Sequence, residues 1–237
     1  MKTWKHGFLL FTVLCTTLLM QAQTLDEVID KHLAAMGGKD KLKALNTIIT
    51  EGTLSVQGQK IPVKVYQVHN KAQRVEISFN GMTGYIISTV DSGWTFLPFQ
   101  GQTKAEATPP AVVKESADFL DIQSNLMDYK TKGHTVELLG KDDVDGTECF
   151  KIKVVTKSGA EETIFIDPSN YYIIKTVTKT KASGQEQEQT QMLSAYKKTD
   201  DGYVFPFATT GFGPGELTIT KIEINKPIDA AQFRPAN

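Results

Sequence analysis

Hydrophobic and polar positions alternate with a period of two over most of this chain, and that period belongs to strands. Ile61, Val63 and Val65 face one way while Lys60, Lys64 and Tyr66 face the other. Val75, Ile77 and Phe79 alternate with Arg74, Glu76 and Ser78, and Phe150, Ile152 and Val154 alternate with Lys151 and Lys153. One apolar face and one wet face mark half-buried antiparallel strands. Gln57-Gly58, His69-Asn70, Asp91-Ser92-Gly93, Asp145-Gly146, Ser158-Gly159, Asp167-Pro168-Ser169-Asn170 and Asp200-Asp201-Gly202 separate the runs as turns. Gly, Asn and Asp tolerate the backbone conformations that reverse a chain. These breaks predict about a dozen strands. The polar stretch Ala182–Gln189 reads as an exposed loop or hairpin end between two of them.

Two stretches follow the helical period instead. Leu25–Leu45 places Leu25, Val28, Ile29, His32, Leu33 and Met36 on one face, pauses at Gly37-Gly38, and resumes with Leu42 and Leu45. Thr24 with Glu27 three residues on forms a capping box, and Asp26 and Glu27 suit the positive end of the helix dipole. Pro110–Lys130 carries Val113, Ala117, Leu120, Leu126 and Met127 at mixed spacing. Many strands with few helices must curl to hide an apolar face. The expected fold is mainly β (α+β): one domain over 23–237, a curved, incomplete antiparallel barrel. Its helices lie against the concave face or across the mouth as a lid.

The first residues set the compartment. Lys2, Lys5 and His6 precede an apolar run from Phe8 to Met20, which closes on Met20-Gln21-Ala22. A basic start, an apolar core and a small residue at the cut make residues 1–22 a secretory signal peptide, cleaved after Ala22. The run falls short of the ~20 residues that span a bilayer comfortably. Cys15 sits inside it behind Val13-Leu14, where a lipidation site would need small residues, so the mature protein is expected to be soluble and unanchored.

Removing Lys2 and Lys5 from 26 basic residues, against 27 acidic ones, leaves the mature chain at −3. Arg74 and Arg234 are its only arginines, and no basic cluster exists for nucleic acid. Cys149 is the single remaining cysteine, so no intramolecular disulfide forms. Beside Phe150 in a strand pattern, it is expected to be buried.

Searching for chemistry gives little. His32, His69 and His134 are scattered without metal-ligand spacing, and His32 shares a helix face with Ile29 and Leu33 as a structural histidine would. No Gly-x-Ser-x-Gly elbow occurs. Asp142-Asp143-Val144-Asp145-Gly146 lacks the ligand spacing and terminal glutamate of a calcium loop, and Glu161-Glu162 opens a strand as solubilising charge. No catalytic residue, metal or cofactor is expected. What stands out is apolar: Tyr85-Ile86-Ile87-Ser88-Thr89-Val90 turns at Asp91-Ser92-Gly93 into Trp94-Thr95-Phe96-Leu97-Pro98-Phe99. Apolarity on both faces means burial on both. The hairpin either packs under the helices or, in a barrel not filled by its own side chains, lines a hydrophobic cavity.

Arg74 with its strand, the Asp91-Ser92-Gly93 turn, Trp94, an aromatic and Pro98-Phe99 together resemble the periplasmic lipoprotein carriers of the LolA/LolB superfamily. So do the opening Ala35-Met36-Gly37-Gly38-Lys39 with Leu42, the Val144-Asp145-Gly146-Thr147 turn, and the Ile164-Phe165-Ile166-Asp167-Pro168 strand end. Val204-Phe205-Pro206 and the closing Ile224-Asn225-Lys226-Pro227-Ile228-Asp229 with Phe233 complete a likeness that covers the whole mature chain. The resemblance implies a half-barrel with a helical lid over an apolar cavity, in a periplasmic, non-enzymatic carrier or binder of lipoprotein acyl chains or other lipid. It implies membrane donor and acceptor proteins as partners and a monomeric state. It also implies that Arg74 holds the lid closed, that Tyr85, Ile87, Trp94, Phe96 and Phe99 line or rim the cavity, and that Leu120 and Met127 are lid contacts. This chain departs from the carriers in following Arg74 with Val75-Glu76 rather than aromatic residues. The competing reading is an envelope sensor or interaction module whose barrel is filled by its own side chains. A hydrolase would need a nucleophile constellation that the chain lacks.

Overall fold

The computed structural model describes residues 23–182, 185–211 and 213–235; the leader and Cys15 lie outside them. Helix α1 (Leu25–Ala35) starts where the sequence predicts. Thr24 Oγ1 accepts from the Glu27 amide at 3.3 Å and Glu27 Oε2 accepts from the Thr24 amide at 2.9 Å, so two otherwise unpaired amides are satisfied. Val28, Ile29, His32 and Leu33 form its buried face. The helix stops at Gly37, where φ is 120° and a Cβ would sit 2.8 Å from the Gly202 carbonyl oxygen. Only glycine meets both demands. A short second helix, α2 (Lys39–Lys43), follows.

Six strands come next: β1 (Thr47–Val56), β2 (Gln59–Val68), β3 (Ala72–Phe79), β4 (Met82–Thr89), β5 (Gly93–Phe96) and β6 (Glu106–Ala107). A connecting segment then carries α3 (Pro110–Ser116), a 3-10 turn over Ala117–Leu120, and α4 (Tyr129–Lys132). The remaining strands are β7 (Thr135–Val144), β8 (Thr147–Val155), β9 (Glu161–Ile166), β10 (Ile173–Ala182), β11 (Gln185–Ser194), β12 (Lys197–Lys198), β13 (Val204–Phe205), β14 (Ala208–Thr210) and β15 (Glu216–Ile224). A 3-10 turn, Ala230–Phe233, closes the chain.

Thirteen of the described strands make one antiparallel sheet in the order β6-β5-β4-β3-β2-β1-β15-β14-β11-β10-β9-β8-β7, and β12 pairs with β13 separately. The sheet is curved but unclosed. Its two free edges, β6 and β7, are consecutive in sequence, so the connecting segment has to run between them. The fold is therefore mainly β, with the incomplete barrel that the period-two pattern predicts.

One element differs from expectation. The stretch 110–130 is not one helix. Ser124 and Asp128 adopt left-handed φ values of 91° and 50°, which an α-helix cannot accommodate; the mixed spacing of its apolar residues belongs to a strap that dips into the core at separate points. In the polar stretch 182–189 the described residues 182 and 185–189 form the end of the β10–β11 hairpin, the second of the two expected readings. Lys181↔Glu186 and Lys179↔Glu188 are register partners, so backbone pairing with a neighbour, rather than an apolar face, builds that hairpin.

The main core forms where α1 meets the sheet. Val28, Leu33, Leu45, Leu126, Met127, Ile152, Val154 and Ile166 are at most 1% exposed, and Ile48 and Ile224 join them from β1 and β15. Burying each such side chain contributes about 1.5–3 kcal/mol. Cys149 is fully buried in a smaller cluster with Val144 and Phe165.

Register assigns the two faces of the sheet. Directly paired residues share a face and neighbours along a strand alternate. Ile48, on the face that meets α1, pairs with Gln67, which pairs with Gln73 and so with Ser88. The opposite face carries Tyr66, Arg74, Ile87 and Trp94 in one row and Lys64, Glu76, Tyr85 and Phe96 in the next.

Candidate functional site

A cavity of about 290 Å³ lies between the helices and the strands of the C-terminal half. Met36 and Leu42 bound it on the helical side, Ile164, Ile173 and Leu193 on the sheet, and Phe205 and Pro206 from β13 onward. The alternation of β9 explains one wall. Ile164 and Ile166 point to α1, and Glu162, two residues before Ile164, points the same way. Glu161 takes the other face and pairs with Lys153 at 3.1 Å.

The strap 121–127 closes the cavity from the side. Gln123 Nε2 donates to the Lys43 carbonyl at 3.0 Å and the Leu45 carbonyl at 2.9 Å, stitching the strap to the end of α2. Leu126 and Met127, each 1% exposed, anchor it in the core. Asp121 faces the cavity with its charge already matched. Its carboxylate contacts Lys132 Nζ and accepts from the Gln123 amide at 2.9 Å, and His69 Nδ1 stands 3.4 Å away.

Three further polar groups line the cavity. His32 Nδ1 lies 2.8 Å from the Tyr171 carbonyl oxygen. A carbonyl can only accept, so Nδ1 carries the proton and Nε2 is left as an acceptor. Burial holds the His32 pKa below its ordinary value, with that hydrogen bond opposing. Tyr196 donates its hydroxyl to the Ile173 carbonyl at 2.6 Å, and burial pushes the Tyr196 phenol above its ordinary value. Glu162 accepts one hydrogen bond, from Asn125 Nδ2 at 3.3 Å; burial raises its carboxyl above the ordinary range, with the Asn125 bond opposing. Asn125 Oδ1 is itself buried without a partner.

The residues singled out from sequence lie elsewhere. Arg74, Tyr85, Ile87, Trp94 and Phe96 come together on the sheet face opposite α1. Ile87 is 0% exposed while Ile86, on the α1-side face, is 37% exposed, so the covering segments sit on the Ile87 side. They include α3, the Ala117–Leu120 turn and the C-terminal turn, all of which touch β4. Arg74 stacks its guanidinium 4.3 Å over the Tyr85 ring, bonds Glu76 through Nε at 2.8 Å, and donates from Nη1 to the Gln232 carbonyl at 3.0 Å. The Tyr85 and Phe96 rings are 5.6 Å apart across the β4–β5 ladder. Phe99 reaches the other face and meets the edge of Phe79 at 5.9 Å; Gly84 permits this, since a Cβ there would lie 2.9 Å from the Phe99 ring. Leu120 is buried beside the β2–β3 turn, where its carbonyl accepts from the Asn70 amide at 2.9 Å. Met127 belongs to the α1 core. None of these residues lines the cavity of His32 and Glu162.

Glu162 was legible in principle. Two consecutive acids in a strand place one on each face, and the period set by Ile164 and Ile166 marks Glu162 as the inward one. Asn125, Leu193 and Phe205 give no such signal, because the cavity joins segments far apart in sequence. Among the described residues no group of three or more His, Cys, Asp and Glu side chains could hold a metal ion, and no helix is long and apolar enough to cross a membrane.

No family model matches the sequence, and no curated protein matches it. Solved structures do match. A LolA superfamily protein from Nitrosomonas europaea superposes with a TM-score of 0.53 at 12% identity, over 90% of this chain and 98% of that one. A DUF1329 family protein from Desulfovibrio piger gives 0.53 at 14% identity, again over 90% and 98%. A protein from Vibrio parahaemolyticus described as an outer membrane lipoprotein-sorting protein domain gives 0.50 at 15% identity, over 87% of this chain and 94% of that one. At these identities the likeness is one of architecture, and the chain has the curved, unclosed antiparallel sheet of the LolA-like fold.

Proposed function

We propose that this protein is an exported, non-enzymatic carrier or binder that holds an acyl chain, or a ligand of like character, within the envelope compartment. The observation that carries the reading is the cavity walled by Met36, Leu42, Ile164, Ile173, Leu193 and Phe205 beneath the helices. Its volume stands at the lower end of the ~300–1,000 Å³ range of small-molecule pockets, which suits one short chain or part of a longer one. Each methylene moved from water into such a site contributes ~0.8 kcal/mol, so binding needs no catalytic group. Architectural neighbours that include a lipoprotein-sorting domain support the same reading, as does the signal-peptide pattern of residues 1–22.

Titration with the neutral dye N-phenyl-1-naphthylamine tests it. Saturable fluorescence at micromolar protein, reversed by a long-chain alcohol, is the expected result; no saturable signal would reject the carrier. A second reading, a sensor or interaction module, is favoured by one observation: Val28, Ile29 and Leu33 of α1 are already packed into the main core against the sheet. Absence of dye binding would leave that reading in place.

A further inference from the structure

The polar chemistry of the cavity is one-sided. Its nitrogen and phenol donors are spent on the protein itself: Gln123 Nε2 on two carbonyls, His32 Nδ1 on Tyr171, Asn125 Nδ2 on Glu162, and the Tyr196 hydroxyl on Ile173. Ser124 Oγ accepts from the Leu126 amide at 3.2 Å and keeps its hydroxyl hydrogen, a single neutral donor in the lining. What remains in the lining is mostly acceptor: the Glu162 carboxylate, Nε2 of His32, and Asn125 Oδ1 buried without a partner. Charge is one-sided too. Asp121 is balanced by Lys132, whereas among the described residues Glu162 is hydrogen-bonded only by a neutral amide. A half-buried carboxylate without a cation beside it carries a desolvation cost that a cationic ligand would offset.

We infer that the cavity takes amphipathic ligands headed by a primary amine, with the ammonium group against Glu162 and the alkyl chain among Ile164, Ile173, Leu193 and Phe205. An ammonium brings three donors and a positive charge and has no acceptor, which answers each unmet group. A carboxylate head would bring further acceptors and a second negative charge beside Glu162. Burial raises the Glu162 pKa by penalising its charged form, and an adjacent ammonium would lower that penalty and favour the carboxylate. This inference rests on the apolar-ligand reading and adds the identity of the head group.

The test compares octylamine, octanol and octanoate, three ligands of one chain length, by calorimetry and by dye displacement on the full mature chain at neutral pH. The expected order is amine, then alcohol, then carboxylate, with the amine at least about tenfold tighter than the carboxylate, as expected when a buried charge finds its partner. Glu162→Gln should erase most of the amine's advantage over the alcohol. Octanoate binding as tightly as octylamine in the wild type, or an undiminished amine preference in Glu162→Gln, overturns the head-group inference while leaving the apolar cavity standing. Failure of the dye and all three ligands to bind overturns both.

Discussion

Arg74 lies flat over the ring of Tyr85 at 4.3 Å while its Nη1 donates to the carbonyl of Gln232 at 3.0 Å. The one strand arginine thus ties the C-terminal turn to β3 and β4, on the sheet face turned away from α1. Arg74→Leu should lower stability by about 1–3 kcal/mol, through the lost cation–π contact and a charge-assisted hydrogen bond. It should also expose 226–235 to proteolysis. Urea unfolding with mass-resolved limited digestion checks both, and dye affinity should be unmoved, since Arg74 is outside the cavity.

The core under α1 should respond like close-packed interior. Ile152 is fully buried among Val28, Leu33 and Ile166, and Ile152→Ala should cost about 2–5 kcal/mol by transfer and cavity terms. Exposed Val90 offers the contrast: Val90→Ala, at a site 52% exposed, should fall within about 0.5 kcal/mol of wild type. Chemical denaturation of both variants decides this.

Glu162 and His32 should pull the pH dependence of stability in opposite directions. The Glu162 pKa is raised in the fold above its ordinary 4.5, so its contribution is present below that value and is lost as pH rises through the folded pKa. Glu162→Gln should therefore raise Tm at neutral pH, with the gain shrinking toward pH 4.5. The His32 pKa is lowered from 6.5, so its contribution is complete above 6.5 and is lost on acidification through the folded value. His32→Gln should flatten the acid limb, and calorimetric scans across pH separate the two slopes.

Much of the fold was written in the period of the chain, because alternation along β2, β3 and β8 is enforced by having one dry face. The capping box at Thr24 and the stop at Gly37 were equally plain, since both are local. The strap 110–132 was not, because its apolar residues are set by separate docking points: Leu120 at the β2–β3 turn, Leu126 and Met127 in the core. The aromatic hairpin announced burial on both faces, and the structure corrects this: Tyr85 and Ile87 are buried on one face, whereas Ile86 on the other is 37% exposed, because the covering segments lie on one side only. Which face carries the cavity was a matter of sheet register, and register depends on pairings between residues as distant as Ile48 and Ile224. The cavity was illegible for the same reason, apart from the inward phase of Glu162.

The most direct test of the carrier reading is dye binding to wild type and to Leu193→Trp, whose larger side chain would occupy the cavity from a partly buried strand position. The account predicts saturable binding near one dye per chain in the wild type and its loss in a folded Leu193→Trp. Equal binding by both, or none by the wild type, would contradict it.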